Sequence, residues 1–179
     1  VLLQRLHHDP VELAAEQVGN AFDLAVGDLS FISSTLVLPA VVPLLRPDRF
    51  IMERQYRYPL QQVLLEFPAG KRDPDEPTLF TGMRELLEET GYIASAWQEL
   101  TAFHTTPGGN DETITIFLAE NLRLQGHDLD LEGEERDMQL EWVPLQQALT
   151  SALAAEIKNP SAVVGILALA HKLGISASD

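Results

Sequence analysis

The segment Thr78 to Thr90 constrains the fold of this chain more than any other. No proline interrupts it. Leu79, Met83, Leu86 and Leu87 recur at the spacing of one helix face, and Gly91 follows as a left-handed stop. A helix with a single apolar stripe must bury that stripe against another element, and the flanking segments read as strands. Ile51 to Arg57 and Val63 to Phe67 are strand-like, separated by the turn-forming Tyr58-Pro59. Further strands are expected near Leu100 to His104, Thr113 to Leu118 and Met138 to Val143. Pro68 to Pro77 and Thr105 to Asp111 are loops by their Pro, Gly and Asp content, and Arg123 to Arg136 is polar and acidic enough to read mostly as loop. Leu145 to Leu153 reads as a helix. Asn159-Pro160 opens a last helix that Gly174 ends, and Asp9-Pro10 opens a short one over Val11 to Val18. Strands outnumber helices without alternating regularly with them, so the expectation is a mixed α/β sandwich.

Composition removes whole classes of function. With no cysteine among 179 residues, disulfides, thiolate metal sites and a cysteine nucleophile are excluded. Twelve basic against 27 acidic residues give a net charge of −15, which argues against binding nucleic acid or an anionic membrane. No apolar run approaches the roughly 18 residues of a membrane span; Leu36 to Leu45 is short and holds two prolines. With no secretory signal in view, a cytoplasmic protein is expected. A small phosphate-bearing ligand stays possible, because a local site escapes the global field beyond about 8 Å at physiological salt and bound divalent cations reverse the local sign. The chain has no Gly-x-Gly-x-x-Gly fingerprint, P-loop or Gly-x-Ser-x-Gly elbow.

One feature does not suit a merely structural helix. Glu85, Glu88 and Glu89 crowd the last turns before Gly91. Positions i, i+3 and i+4 share a face, and the helix C-terminus disfavours an anion by roughly 0.3–1 kcal/mol each. The missing counter-charge could be a divalent cation; clustered carboxylate oxygens suit Mg²⁺, which commonly bridges them to substrate phosphates. The alternative is a solvated acidic face balanced by Arg84, four residues from Glu88. His7-His8 has no third ligand nearby and reads as inert, and His104, at a strand end, as structural.

The spacing around the cluster decides between these readings. Gly70, five residues, Glu76, seven residues, then Arg84-Glu85-Leu86-Leu87-Glu88-Glu89-Thr90-Gly91-Tyr92 resembles the Nudix box, Gly-x5-Glu-x7-Arg-Glu-U-x-Glu-Glu-x-Gly-U with U a bulky aliphatic. All seven fixed positions match, on the order of a one-in-a-million coincidence at ordinary residue usage. Tyr92 departs at the last aliphatic position. Gly82 stands where many relatives carry a helix former, at a cost of about 1 kcal/mol relative to Ala. The flanks resemble the ADP-ribose pyrophosphatase branch of that family: Arg54-Gln55-Tyr56-Arg57, the lead-in Glu66-Phe67-Pro68-Ala69-Gly70-Lys71, Pro107 sixteen residues after Gly91, and the acidic run Glu132 to Arg136 before Trp142. The resemblance covers Arg54 to Leu145, and residues 1–48 match poorly.

The resemblance implies a Nudix-type α/β/α sandwich with a mixed β-sheet over residues 49–179, preceded by an N-terminal region, 1–48, that could serve dimerisation. It implies that the Ala69 carbonyl, Glu85 and Glu89 bind metal, with Glu88 assisting and Arg84 orienting the carboxylates. Arg57 first, and Arg54 second, would meet substrate phosphate through the two-pronged donor geometry of arginine. Glu112 falls where the branch places the terminal ribose, and Pro107, the branch's marker proline, is counted with the substrate-binding residues. The general base would come from the acidic loop, Glu134 by its register eight residues before Trp142 and Glu135 as the alternate. The implied activity is Mg²⁺-dependent (Mn²⁺ substituting) hydrolysis of ADP-ribose to AMP and ribose 5-phosphate by a homodimer. GDP-mannose, another nucleotide sugar, or a non-catalytic nucleotide-sugar sensor are the alternatives.

Overall fold

The computed structural model describes residues 37–46, 48–125 and 138–177. The chain runs through β1 (Val37–Arg46), β2 (Arg49–Arg57), a 3₁₀ turn (Tyr58–Leu60), β3 (Gln62–Glu66), α1 (Thr78–Thr90), β4 (Tyr92–His104), β5 (Thr113–Leu124), β6 (Gln139–Pro144), α2 (Leu145–Leu153) and α3 (Pro160–Leu173). The strands form one sheet in the order β3-β2-β1-β5-β4, with β6 along β2. β1 and β5 are parallel and the other pairs antiparallel, so the sheet is mixed as expected.

Alternation along the strands assigns the two faces. Ala40, Val42 and Leu44 of β1 point into a large core with Phe50, Met52, Ile116 and Leu118, covered by Ala148 and Leu149 of α2 and Ala162, Ile166 and Leu169 of α3. Val41 points the other way, to Ala119 and to Leu86 of α1. The result is the three-layer sandwich the resemblance implies.

β1 is a strand of the sheet although it precedes residue 49. The expected division between residues 48 and 49 falls in the turn joining β1 to β2, and β1 pairs along its length with β5. Pro39 and Pro43 obscure this strand in the sequence, yet both are tolerated for a geometric reason. Val41 donates its N–H to the Pro68 carbonyl at 2.9 Å, away from β5. Residues 39 and 43 share its direction, so their missing N–H groups fall on the edge that β5 does not use. β4 is also longer than expected, starting at Tyr92. Ala94, Ser95 and Ala96 carry little strand preference, and pairing with β5 (Ala94 to Leu122, Trp97 to Ala119) overrides it. β5 in turn extends to Leu124, into the stretch read as loop.

α1 departs from its sequence pattern in the way that matters most here. Its buried residues are Thr81, Gly82, Glu85, Leu86, Glu89 and Thr90, whereas Leu79, Met83 and Leu87 are only half-buried. The helix turns Glu85 and Glu89 inward beside Leu86, and leaves Leu79, Met83, Leu87 and Glu88 nearer the surface. Gly82 makes the approach possible, since a Cβ there would lie 3.3 Å from a Val41 methyl. The C-terminal signal is as expected: Gly91 has φ 71° and donates to the Leu87 carbonyl. Among the described residues, no helix is long and apolar enough to cross a membrane. The expected Val11–Val18 helix and His7-His8 lie outside the described residues.

Candidate active site

The site is assembled where β3 leaves the sheet. Phe67 is buried edge-on against Phe50, with ring centroids 5.2 Å apart, and anchors the exit. Pro68 and Ala69 then run beside β1, bonded at Val41 and bridged at Ala40. This fixes the Ala69 N–H, which donates to Oε2 of Glu89 at 2.9 Å. At the next residue a Cβ on Gly70 would fall 2.0 Å from the Glu85 carboxyl carbon. Glu85 and Glu89 are thus packed against backbone at 8% and 7% exposure.

Arg84 holds the outer side of the cluster. Its Nη1 donates to Glu85 at 2.6 Å and to Glu88 at 3.0 Å; its Nη2 donates to Glu76 at 3.3 Å and to the Lys71 carbonyl at 3.1 Å. Burial pushes the Arg84 pKa down, but the hydrogen bonds to Glu76, the charge of Glu85 and the hydrogen bonds to Glu88 and Glu85 outweigh it, so the group is held above the ordinary arginine value. Glu76 is shifted the opposite way: hydrogen bonds from Arg84 first, then from Thr81 at 2.7 Å, hold its carboxyl below the usual range. Glu76, Arg84 and the 71–76 loop therefore form a charged brace. Glu88 is half-exposed and meets the brace through Arg84.

A cleft of about 730 Å³ opens over these groups. It gathers Ala69, Glu85, Glu88, Glu89, Arg84, Arg57 and Glu112 of the sequence-expected set. Arg57 donates from Nε and Nη2 to the two oxygens of Glu66, both at 2.9 Å. Glu112 accepts from the Thr105 hydroxyl across the loop. Arg54 and Pro107 do not line this cleft. Arg54 is three residues from Arg57 on an extended strand and so faces the opposite side of the sheet, where its Nε donates to Glu141 at 2.6 Å. Pro107 is exposed in the Thr105–Asp111 loop. His104 shares a 3.0 Å hydrogen bond with Thr113 and also stays outside the cleft. Glu134 and Glu135 lie outside the described residues.

The sequence reading attached no role to Glu66, Thr105, Asn159 or Ser161, all of which line the cleft. Parity could have found Glu66, because Glu53 pairs with Glu66 and Arg57 with Gln62, placing Arg57 and Glu66 on one face. Nothing local marks Ser161, which the sequence shows only as the second residue of a helix.

The donor chemistry suits a hard divalent cation. Glu85, Glu88, Glu89 and the Ala69 carbonyl offer only oxygen, and no basic residue occupies the last turn of α1. Among the described residues no three His, Asp or Glu side chains already converge for one ion. Two carboxylates, a carbonyl and retained waters would be a sufficient set, since Mg²⁺ commonly keeps several waters.

Comparison with known proteins shows what the chain is similar to. The model of the NUDIX domain matches residues 36–163. An ADP-ribose pyrophosphatase of Mycobacterium tuberculosis is 41% identical over 119 residues, 66% of this chain and 57% of that protein, so the chain spans little more than half the length of this relative. An ADP-ribose pyrophosphatase of Bacillus subtilis is 36% identical over 138 residues, 77% of this chain and 74% of that protein. Among solved structures, an ADP compounds hydrolase superposes with a TM-score of 0.68 at 23% identity, over 78% of this chain and 74% of that one, a likeness of fold.

Proposed function

The chain belongs to the Nudix family, and we propose that it hydrolyses the diphosphate of a nucleoside diphosphate sugar, ADP-ribose first, to AMP and ribose 5-phosphate. The observation that carries this reading is the placement of buried Glu85 and Glu89 against Gly70 and Ala69 in the same cleft as Arg57. Mg²⁺, with Mn²⁺ as substitute, would be held by Glu85, Glu89 and the Ala69 carbonyl. When bound it would neutralise diphosphate oxygens and make water a better nucleophile.

In this reading the chain's own groups do the rest. Arg57, oriented by Glu66, offers donors to the diphosphate. Arg84 keeps the Glu85 carboxylate in place. Glu134 takes a proton from the attacking water, whose oxygen bonds to one phosphorus while the bridging oxygen leaves with the other. A cytoplasmic homodimer that binds no nucleic acid completes the reading. In its support, the β2–β3 hairpin exposes Tyr56, Tyr58, Leu60 and Val63 together, an apolar patch of the kind a partner subunit covers. Sedimentation at the mass of one 19.8 kDa chain would refute the dimer.

The testing experiment is a product assay with Mg²⁺ over ADP-ribose, GDP-mannose and other nucleotide diphosphate compounds. AMP and ribose 5-phosphate from ADP-ribose at the highest kcat/KM is the expected result. Turnover of no member, with binding retained, would point to the sensor instead.

A further inference from the structure

We infer that Ser161, in the first turn of α3, is a substrate-binding residue that donates to a non-bridging oxygen of the diphosphate. The inference rests on the hydrolase reading above and adds to it a contact from the opposite face of the sheet.

α3 packs closely on the sheet where its first half reaches the cleft. Gly165 lies over Phe67, and a Cβ there would fall 2.8 Å from the Phe67 ring. Ser161 is four residues earlier, on the same face of the helix. The close contact at Gly165 therefore brings Ser161 to the exit of β3, where it lines the cleft with Ala69, Glu66 and Arg57. α1 delivers its carboxylates from one side of the sheet and α3 its N-terminus from the other.

The donors of this helix start are distributed unevenly. Pro160 has no N–H to give. The Ala162 N–H is taken by the Asn159 side chain at 2.9 Å, and the Val163 N–H by the Asn159 carbonyl. Among the described residues, the Ser161 N–H and hydroxyl are left with no hydrogen-bond partner, although Ser161 is only 9% exposed. Its Oγ is not among the fully buried side-chain atoms that lack a partner, so it keeps access to solvent on the wall of the cleft that Ser161 lines. One residue on the wall of the cleft thus holds two uncommitted donors at the positive end of a 14-residue helix.

An anion is the fitting partner. The walls of the cleft supply many carboxylates, and none is bonded to Ser161. A cation at Glu85 and Glu89 would serve the diphosphate oxygens on the α1 side. Ser161 is placed to serve those that face α3.

The test compares the parent with Ser161→Ala by calorimetric binding of α,β-methylene ADP-ribose and of ADP in the presence of Mg²⁺, alongside ADP-ribose turnover and melting temperature. Both ligands should bind about tenfold more weakly, the effect of losing one hydrogen bond to a charged group. KM should rise similarly with kcat within a fewfold. The melting temperature should hold or rise, because a hydroxyl without a protein partner gives nothing to stability. Unchanged binding of both ligands would overturn the inference while the hydrolase reading stands. Weaker binding of the ADP-ribose analogue alone would move the contact from the diphosphate to the sugar, and overturn it too. A drop in melting temperature of several degrees would make Ser161 structural. A parent that binds both ligands but hydrolyses no nucleotide sugar would refute the hydrolase reading and leave the Ser161 contact intact. A parent that binds neither would refute both.

Discussion

Gly70 and Glu85 are packed so closely that the α-hydrogen of Gly70 occupies the only room a side chain could have: a Cβ would meet the Glu85 carboxyl at 2.0 Å. The obstacle is the end of a flexible side chain, so the fold can accept Gly70→Ala by displacing the carboxylate. The expected outcome is a loss of turnover of about 100-fold, typical of an ångström-scale misplacement. The metal-free melting temperature should change by only a few degrees. A variant with parental kcat would show that Glu85 need not stand where the structure places it.

Glu89 has two separable functions. Its Oε2 accepts from the Ala69 N–H, and its charge sits at the unfavourable end of α1. Glu89→Gln keeps an acceptor and removes the charge, so it should lose most of kcat while metal-free stability holds or rises by a few tenths of a kcal/mol. Glu89→Ala also removes the acceptor and should cost about 1–3 kcal/mol of stability for the orphaned N–H. Denaturant melts of both variants with EDTA present check this. Equal destabilisation by the two would mean that charge, not the Ala69 bond, holds Glu89 in the fold.

Arg57 and Arg54 are distinguished by strand parity. Arg57 lines the cleft beside Glu66, and Arg54 pairs with Glu141 on the other face. Arg57→Ala should raise KM for ADP-ribose at least about tenfold, as loss of a charge-assisted contact does. Arg54→Ala should leave KM within about twofold, since exposed ion pairs contribute little. A larger effect at Arg54 would place substrate across the sheet edge or in a partner subunit.

The base assignment rests on register alone. Glu134→Gln should lower kcat by at least about 100-fold and leave KM within a fewfold, because a general base adds little to ground-state binding. Glu135→Gln should stay within about tenfold of the parent. If Glu135→Gln is the inactive variant, the alignment is one residue off. If neither matters, the proton goes elsewhere, Glu88 being the nearest candidate on the helix.

Much of this site was legible because its residues sit at fixed intervals on one helix and one loop. Gly70, Glu76, Arg84, Glu85 and Glu89 need only local geometry to meet. What was hidden depends on distant pairing. β1 carries two prolines and becomes visible only when β5 and Pro68 supply its partners. The first half of β4 is alanine and serine, which say nothing until β5 is beside them. The apolar spacing of Leu79, Met83, Leu86 and Leu87 marked α1 as a helix, but of these only Leu86 is buried, because the inward side is shared with Glu85 and Glu89. Ser161 reaches the cleft through the Gly165–Phe67 contact, a relation across almost a hundred residues.

Removing and restoring the cation tests the central claim most directly. The purified protein, stripped with EDTA, should release no AMP from ADP-ribose, and Mg²⁺ or Mn²⁺ should restore turnover to the parent but not to Glu89→Gln. Full AMP release in metal-free buffer, or restoration of Glu89→Gln to parental rate, would contradict the assignment of Glu85 and Glu89 as the carboxylates that hold the catalytic cation.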